Sequence, residues 1–283
     1  MVLKIEQFNL EKILGSKNSI SVIRLMVLMP YSSFGLTELS SRLKMSKSNV
    51  LRILNILKKY KIVLELFSKR KKRYKINSQL QLCAYFFKVF MLEKQNNLKP
   101  EIKNAIELLY AGIKDKVEFF ILFGSMARGL ETKESDIDIF VVGEKGIEGV
   151  KTDIYPFRFE VHNYKTEDLK NLKDFVVIDA LLNGIVYKGD VFNILAKIEY
   201  VPKWYMIRRL KKSKEFLNRI KTLKGEAKKY YQNLIRITIG EIESLLKNKA
   251  TLSKKEIKTE FNEKKIEELE KLISTEGDNI WII

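Results

Sequence analysis

Residues 117–142 read V-E-F-F-I-L-F, G-S-M-A-R-G, L-E-T-K-E and S-D-I-D-I-F-V-V, and the fold prediction starts from this pattern. Two apolar runs of strand length lie on either side of a loop bounded by glycines. The second run begins with Asp136 and Asp138, which a strand would place on one face. Because two adjacent carboxylates repel unless a cation lies between them, the pattern predicts a site for a hard divalent ion such as Mg²⁺.

The loop after the first run adds a phosphate-binding feature. Gly124 lets the backbone approach a ligand closely, and the Ser125 hydroxyl with nearby free N–H groups can hold a phosphate. The loop and the carboxylates together indicate a site for a nucleoside triphosphate.

This combination resembles the nucleotidyltransferase superfamily of DNA polymerase β, most closely its minimal prokaryotic members. The resemblance rests on Gly124-Ser125-Met126-Ala127-Arg128-Gly129 followed by Asp136-Ile137-Asp138, and it covers residues 101–190. It implies that Asp136, Asp138 and a third carboxylate hold two Mg²⁺ ions. It also implies that Gly124 and Ser125, with help from Arg128, bind the NTP.

The third carboxylate is expected on a following strand, Y-P-F-R-F-E-V-H at residues 155–162. Apolar residues alternate there with polar ones, so Glu160 falls on the polar face and is the favoured candidate. Asp153 is a nearby alternative. His162, the only histidine, lies two residues further on and is either a base or a solvated side chain.

Composition suggests an anionic partner. The 283 residues contain 53 Lys and Arg against 35 Asp and Glu, a net charge of +18, which favours nucleic acid. A lysine-rich surface that serves solubility or thermal stability is the alternative. Cys83 is the single cysteine, which excludes an intramolecular disulfide and a cysteine zinc cluster. Without a leader or a membrane-length apolar run, we expect a cytoplasmic protein.

Three helices and a hairpin are predicted at the start of the chain. Helices are indicated from Asn18-Ser19, after Thr37 and behind Ser46, and two strand-like runs flank a basic turn, S-K-R-K-K-R, at residues 68–73. This order resembles the winged helix-turn-helix DNA-binding domain. The resemblance implies that the third helix enters the major groove and that the wing contacts phosphates.

The residues that this resemblance assigns to DNA lie on the third helix and in the basic turn. They are Lys47, Ser48, Asn49, Arg52, Lys69, Arg70, Lys71, Lys72 and Arg73. A winged helix that serves only packing or dimerisation is the alternative.

The predicted fold class is α/β, of the α+β kind, in four segments. They are a winged-helix domain at 1–78, a connecting helix and linker at 79–100, a nucleotidyltransferase domain with a mixed sheet and flanking helices at 101–190, and an α-helical domain at 191–283. The connecting helix carries an aromatic stripe that we expect to pack between domains or across a homodimer. The cationic faces of the C-terminal helices are interpreted as solvated, with binding to a nucleic-acid backbone as the alternative.

Two hypotheses of function follow. The first is an enzyme that transfers a nucleoside monophosphate from NTP to a hydroxyl of RNA, tRNA, a protein or a small molecule, with a macromolecule favoured. The second is a DNA-binding transcriptional regulator whose nucleotidyltransferase-like domain senses nucleotide or is inactive. An enzyme that represses its own promoter, as toxin–antitoxin components do, would combine both.

Overall fold

The computed structural model describes residues 13–68, 71–129, 135–143, 153–154, 157–169, 172, 174–247, 263–275 and 278–281. The chain forms two compact units. An N-terminal unit comprises residues 1–92 with 192–197, and a C-terminal unit comprises residues 93–191 with 198–283. Among the helices within the described ranges, none combines the length and the apolar character needed to cross a membrane.

The N-terminal unit consists of helices around a small antiparallel sheet. Its elements are α1 (Lys17–Leu28), β1 (Ser33–Phe34), α2 (Leu36–Leu43), α3 (Lys47–Lys59), β2 (Val63–Ser68), β3 (Lys71–Ile76) and most of α4 (Gln81–Asn96). The strand order is β1-β3-β2. As predicted, Ser46 caps α3, and the helix buries one apolar face, which consists of Val50, Ile53, Leu54 and Leu57.

Several predicted boundaries in this unit are wrong. The α1 helix is capped by Ser16 rather than by Asn18-Ser19, because the Ser16 side chain accepts from the Ser19 amide. The α2 helix begins at Leu36, one residue before Thr37. The predicted turn over residues 68–73 is too long, because β2 pairs with β3 from Ser68 opposite Lys71 onward.

The aromatic stripe of α4 is buried, and it consists of Cys83, Phe86, Phe87, Phe90 and Met91. Phe87 packs against Phe192 of α8 (Val191–Ala196), with 5.6 Å between ring centroids. Part of the stripe is therefore covered within the chain itself. The helix extends to Asn96 and the next helix begins at Pro100, so the helix takes up most of the connecting segment predicted at residues 79–100.

A five-stranded mixed sheet forms the first part of the C-terminal unit. Its elements are α5 (Pro100–Ile113), β4 (Phe119–Leu122), α6 (Gly124–Ala127), β5 (Ile137–Val142), β6 (Asp153–Ile154), β7 (Phe157–Tyr164), α7 (Phe175–Asn183) and β8 (Ile185–Lys188). The strand order is β6-β7-β5-β4-β8, and β5 and β7 are parallel while the other pairs are antiparallel.

The core of this sheet lies against α5. Ile106 and Leu109 of that helix pack in one buried cluster with Ile137 and Ile139 of β5. Since side chains alternate along a strand, this packing directs Asp138 to the opposite face of the sheet. After β7 the chain forms a short 3₁₀ turn (Thr166–Leu169) before α7 begins.

Helices follow the sheet, together with a pair of short strands. These elements are β9 (Tyr200–Pro202), α9 (Lys203–Ile220), α10 (Gly225–Lys247), α11 (Glu263–Ser274) and β10 (Asn279–Trp281). The α9 helix packs against both α10 and α11. The α-helical domain predicted at residues 191–283 also contains this antiparallel pair, β9 with β10. Each strand is only three residues long, which is too short to give a periodic pattern in the sequence.

Candidate active site

Strand pairing brings three potential ligands together at one edge of the cleft. In the parallel pair of β5 and β7, Asp138 lies opposite Glu160, and Phe140 lies opposite His162. One ligand atom from each of Asp138, Glu160 and His162 lies within 4.8 Å of the others. The Nε2 atom of His162 is 3.4 Å from Oε1 of Glu160, and its ring packs edge-on against Phe123. These three side chains could hold a metal ion between them.

The charge of this cluster is unfavourable without a cation. Burial, followed by the negative charges of Glu160, Asp136 and Asp179, raises the pKa of Asp138 to about 6, against an opposing effect of Arg128. A divalent ion would strongly stabilise the ionised carboxylate in such surroundings, because the ion would offset the repulsion from the neighbouring acids. The oxygen donors of Asp138 and Glu160 therefore fit a hard cation such as Mg²⁺.

Asp136 lies apart from this group of three. It precedes β5, its side chain is 41% exposed, and Oδ1 is 4.0 Å from Nε of Arg158. Its charge nevertheless contributes to the raised pKa of Asp138. Asp153, the alternative third carboxylate, lies on the edge strand β6, where its backbone is opposite that of Arg158 in β7.

The turn after β4 fits tightly against Asp138. Gly124 has a φ of +71°, and a Cβ atom there would lie 2.0 Å from Oδ2 of Asp138. Both its backbone conformation and the close approach require glycine at this position. Ser125 follows in α6 and lines the same cleft.

Arg128 belongs to a buried polar network that the sequence did not indicate. Its guanidinium donates to Oδ1 of Asp179 and, at 3.4 Å, to the carbonyl of Gly124. Asp179 also accepts from the Tyr205 hydroxyl at 3.0 Å and lies 3.9 Å from Nη1 of Arg209. The network thus links α6 and α7 to α9.

Asp179 is ionised because its cationic and hydrogen-bonding partners favour the charged carboxylate more than burial disfavours it. Burial, the largest influence, would raise its pKa, but the charges of Arg128 and Arg209 and hydrogen bonds from Arg128 and Asn183 lower it overall. The available sequence signal was one acid inside the apolar segment F-V-V-I-D-A-L-L at residues 175–182. That signal identifies a buried acid but gives no partner for it.

A cleft of about 710 Å³ joins these groups within the C-terminal unit. Its wall on the sheet side includes Gly124, Ser125, Asp138 and Glu160. The α9 helix forms another wall, and the cleft-lining cations there are Arg208, Arg209, Lys211 and Lys212. Three of these cations, Arg208, Lys211 and Lys212, are thus exposed within a cleft, whereas the sequence favoured a simply solvated helix face.

Some of the DNA-contact residues predicted for the N-terminal unit have exposed side chains, and others bind protein groups. Lys47, Ser48 and Arg52 are exposed on α3, and Arg52 donates to Asn49 at 3.2 Å. In β3, Lys71 is exposed, Lys72 pairs with Glu65 at 2.9 Å, and Arg73 donates to Ser33 at 2.8 Å. Lys69 and Arg70 lie outside the described residues.

Carboxylates on neighbouring strands beside a glycine-serine turn, with cations across the cleft, define a site of the phosphoryl- and nucleotidyl-transfer class. A family model described as "Nucleotidyltransferase domain" matches residues 99–274, which is more than half of the chain. The chain therefore belongs to the nucleotidyltransferase domain family. The match extends from the sheet through α9, α10 and α11.

One relative is a protein named "Putative protein adenylyltransferase MJ0604" from Methanocaldococcus jannaschii. The two chains are 44% identical over 48 residues, which is 17% of this chain and 48% of the relative. The chain thus spans about half the length of this relative. No solved structure matches the chain at a comparable level of significance.

The raised pKa of Asp138 predicts a stability cost that can be measured. Its pKa exceeds the ordinary value of 3.8, so ionised Asp138 destabilises the metal-free fold fully above pH 6, and the cost disappears as the pH falls towards 4. Asp138→Asn should therefore raise the unfolding free energy at pH 8 by about 1 to 2 kcal/mol, after allowance for partial exposure. Urea unfolding at pH 8 and pH 4.5 measures this, and the gain should shrink at the lower pH.

The exposed Asp115 offers a matched control outside the cleft. Asp115→Asn should leave stability nearly unchanged at both pH values. Millimolar Mg²⁺ or Mn²⁺ should raise the melting temperature of the wild type but not that of Asp138→Asn, because an ion at this site would need both carboxylates. Equal stabilisation of both proteins by metal would contradict this account of Asp138.

The buried network predicts a large cost for removing its acid. Asp179→Ala leaves Arg128 and Arg209 buried without their counterion, so the unfolding free energy should fall by about 3 kcal/mol. Asp174→Ala, which removes the N-cap of the same helix, should cost only about 1 kcal/mol. Denaturant unfolding compares the two, and an equal loss for both would show that Asp179 does not act as a counterion.

Proposed function

We propose that this chain is a metal-dependent nucleotidyltransferase that moves a nucleoside monophosphate from NTP to a hydroxyl of a macromolecular acceptor. The observation that supports this most is the juxtaposition of Asp138 and Glu160 with the Gly124–Ser125 turn in one cleft. Membership of the nucleotidyltransferase domain family agrees with it.

In this proposal Asp136, Asp138 and Glu160 are the ligands of two Mg²⁺ ions. When bound, Mg²⁺ neutralises charge on the phosphate oxygens and makes the α-phosphorus a better electrophile. Asp136 precedes β5 and its side chain is 41% exposed, so it would join the site from the solvent side. Nε2 of His162 lies beside Glu160, which makes His162 the candidate acceptor for the proton of the attacking hydroxyl.

The turn and Arg128 have separate parts in binding the nucleotide. The Ser125 hydroxyl donates to a phosphate oxygen, and Gly124 leaves space between the phosphates and Asp138. Because the guanidinium of Arg128 already donates to Asp179 and to the Gly124 carbonyl, its contribution is to hold the turn in place. The acceptor oxygen then forms a bond to the α-phosphorus, the bond to pyrophosphate breaks, and the hydroxyl proton passes to the base.

The acceptor is proposed to be RNA or a protein. The net charge of +18 favours a polyanion such as RNA or tRNA. The name of the Methanocaldococcus relative, a protein adenylyltransferase, supports a protein hydroxyl and ATP instead. Both acceptor classes therefore belong in the same experiment.

The transfer itself is tested by incubating the protein with each α-³²P-labelled NTP and Mg²⁺, with total RNA or with cell lysate. We expect label on RNA or on protein with the wild type and with Asp115→Asn, and at least about a 100-fold loss with Asp136→Asn/Asp138→Asn. The labelled class identifies the acceptor and the active nucleotide identifies the donor. Absence of label under every condition, with nucleotide binding intact, would favour the regulator hypothesis.

We also propose that the N-terminal unit is a winged helix that binds duplex DNA. The supporting observation is that α3 buries its apolar face while Lys47, Ser48 and Arg52 are exposed. Among the described cations of the wing, Lys71 is exposed, whereas Lys72 pairs with Glu65 and Arg73 donates to Ser33. In the alternative function, a transcriptional regulator, this binding would be the main activity and the family domain would sense nucleotide.

DNA binding should depend steeply on salt. Lys47→Gln/Arg52→Gln should weaken binding to duplex DNA and lower the slope of log affinity against log salt by about 2, the value for two lost phosphate contacts. Lys17→Gln/Lys88→Gln removes the same charge from exposed sites away from α3 and should leave the slope unchanged. Fluorescence anisotropy at several salt concentrations measures this, and a flat response of the wild type would rule out the proposal.

A further inference from the structure

The wall of the cleft formed by α9 carries cations that lack a carboxylate partner. Arg208, Lys211 and Lys212 all line the cleft, and the two lysines lie on the same side of the helix as Arg208 because they follow it by three and four residues. Among the residues that the structure describes, no carboxylate lies within ion-pair distance of any of the three. Glu215 lines the same wall, but it too makes no ion pair with them.

Other cations of α9 and α11 do have partners. Arg209 lies 3.9 Å from Asp179, and Lys214 donates to Glu270 at 2.6 Å. Lys265 of α11 lies 3.1 Å from Glu243. These paired cations contrast with Arg208, Lys211 and Lys212, which line the cleft without a carboxylate partner among the described residues.

Arg208 is held in place at the cleft by an aromatic side chain. Its guanidinium lies over the ring of Phe175, 4.7 Å from the centroid. Phe175 in turn packs against the buried ring of Tyr205 at 5.1 Å. A guanidinium positioned in this way loses little freedom on binding an anion, which favours recognition of phosphate.

The two sides of the cleft carry opposite charge. Asp138 and Glu160 lie on the sheet side, and the three unpaired cations lie on α9. An anionic ligand would be repelled by the acids unless they hold a cation, but it would be attracted directly by α9. A ligand with several phosphates could contact a cation held by the acids on one side and the basic side chains of α9 on the other.

We propose that Arg208, Lys211 and Lys212 form a phosphate-binding wall. Its ligand is a chain of phosphate groups, either the polyphosphate of the NTP or the phosphodiester backbone of a nucleic-acid acceptor. The proposal rests on the proposed function in that it places this ligand beside the nucleotidyl-transfer site. It concerns binding alone, so it can be tested without catalysis.

The test compares Arg208→Gln/Lys211→Gln/Lys212→Gln with Lys228→Gln/Lys229→Gln/Lys264→Gln. The second variant removes the same charge from exposed positions that do not line the cleft. The probes are α,β-methylene-ATP with Mg²⁺, measured by calorimetry, and a fluorescent single-stranded 12-mer of oligo(A) RNA, measured by anisotropy. All side chains concerned are exposed, so thermal unfolding should confirm that both variants fold like the wild type.

We expect the wall variant to bind at least one probe about tenfold more weakly, while the control variant binds both like the wild type. Loss for the ATP analogue alone assigns the wall to the triphosphate, and loss for RNA alone assigns it to the acceptor. For RNA, the slope of log affinity against log salt should also fall by about 2, from three lost phosphate contacts. Unchanged binding of both probes, or an equal loss in the control variant, would overturn the proposal.

Failure of the wall and failure of the enzyme are distinguishable. If the wild type transfers label while the wall variant binds both probes normally, the proposed phosphate-binding wall is wrong and the proposed nucleotidyl transfer is supported. If the wall variant loses binding but no protein transfers label, the wall is right and the transfer activity is wrong.

Discussion

The parallel pairing of β5 with β7 is the constraint on which the site depends. It places Asp138 opposite Glu160, and the packing of Ile137 and Ile139 against α5 fixes which face the acids occupy. A slip of one residue would move Asp138 into the apolar core and an isoleucine into the cleft. The apolar core therefore holds the carboxylates of Asp138 and Glu160 close together although they repel each other. A bound cation would offset this repulsion.

A buried polar network connects the sheet to the helices. Asp179 lies at the centre of a buried network in which two arginines, Arg128 and Arg209, share one carboxylate. Arg128 holds the Gly124 turn, and Arg209 belongs to α9. The turn, the acids and the cationic helix wall therefore belong to one structural unit. The family match, which covers both the sheet and these helices, agrees with that organisation.

Local patterns could be predicted from sequence, but long-range contacts could not. The strand–turn–strand pattern around Gly124 and Asp138 predicts that the turn and the acid lie close together, and they do. Asp179 was missed, since its partner Arg209 lies on another helix thirty residues later and nothing local indicates the pair. The β9–β10 pair joins segments about 80 residues apart. Lys72 and Arg73 of β3 bind residues outside their own strand, Glu65 and Ser33 respectively, which no local pattern indicates.

The proposed chemistry requires that Asp138 and Glu160 hold a divalent ion beside a nucleotide bound at the Gly124–Ser125 turn. Crystals grown with Mn²⁺ and α,β-methylene-ATP would test it most directly, because anomalous scattering locates the ion independently of the refined coordinates. The account predicts an anomalous peak in contact with Asp138 and Glu160, with the triphosphate at Ser125. A nucleotide bound elsewhere, or bound in the cleft with no ion at these carboxylates, would contradict it.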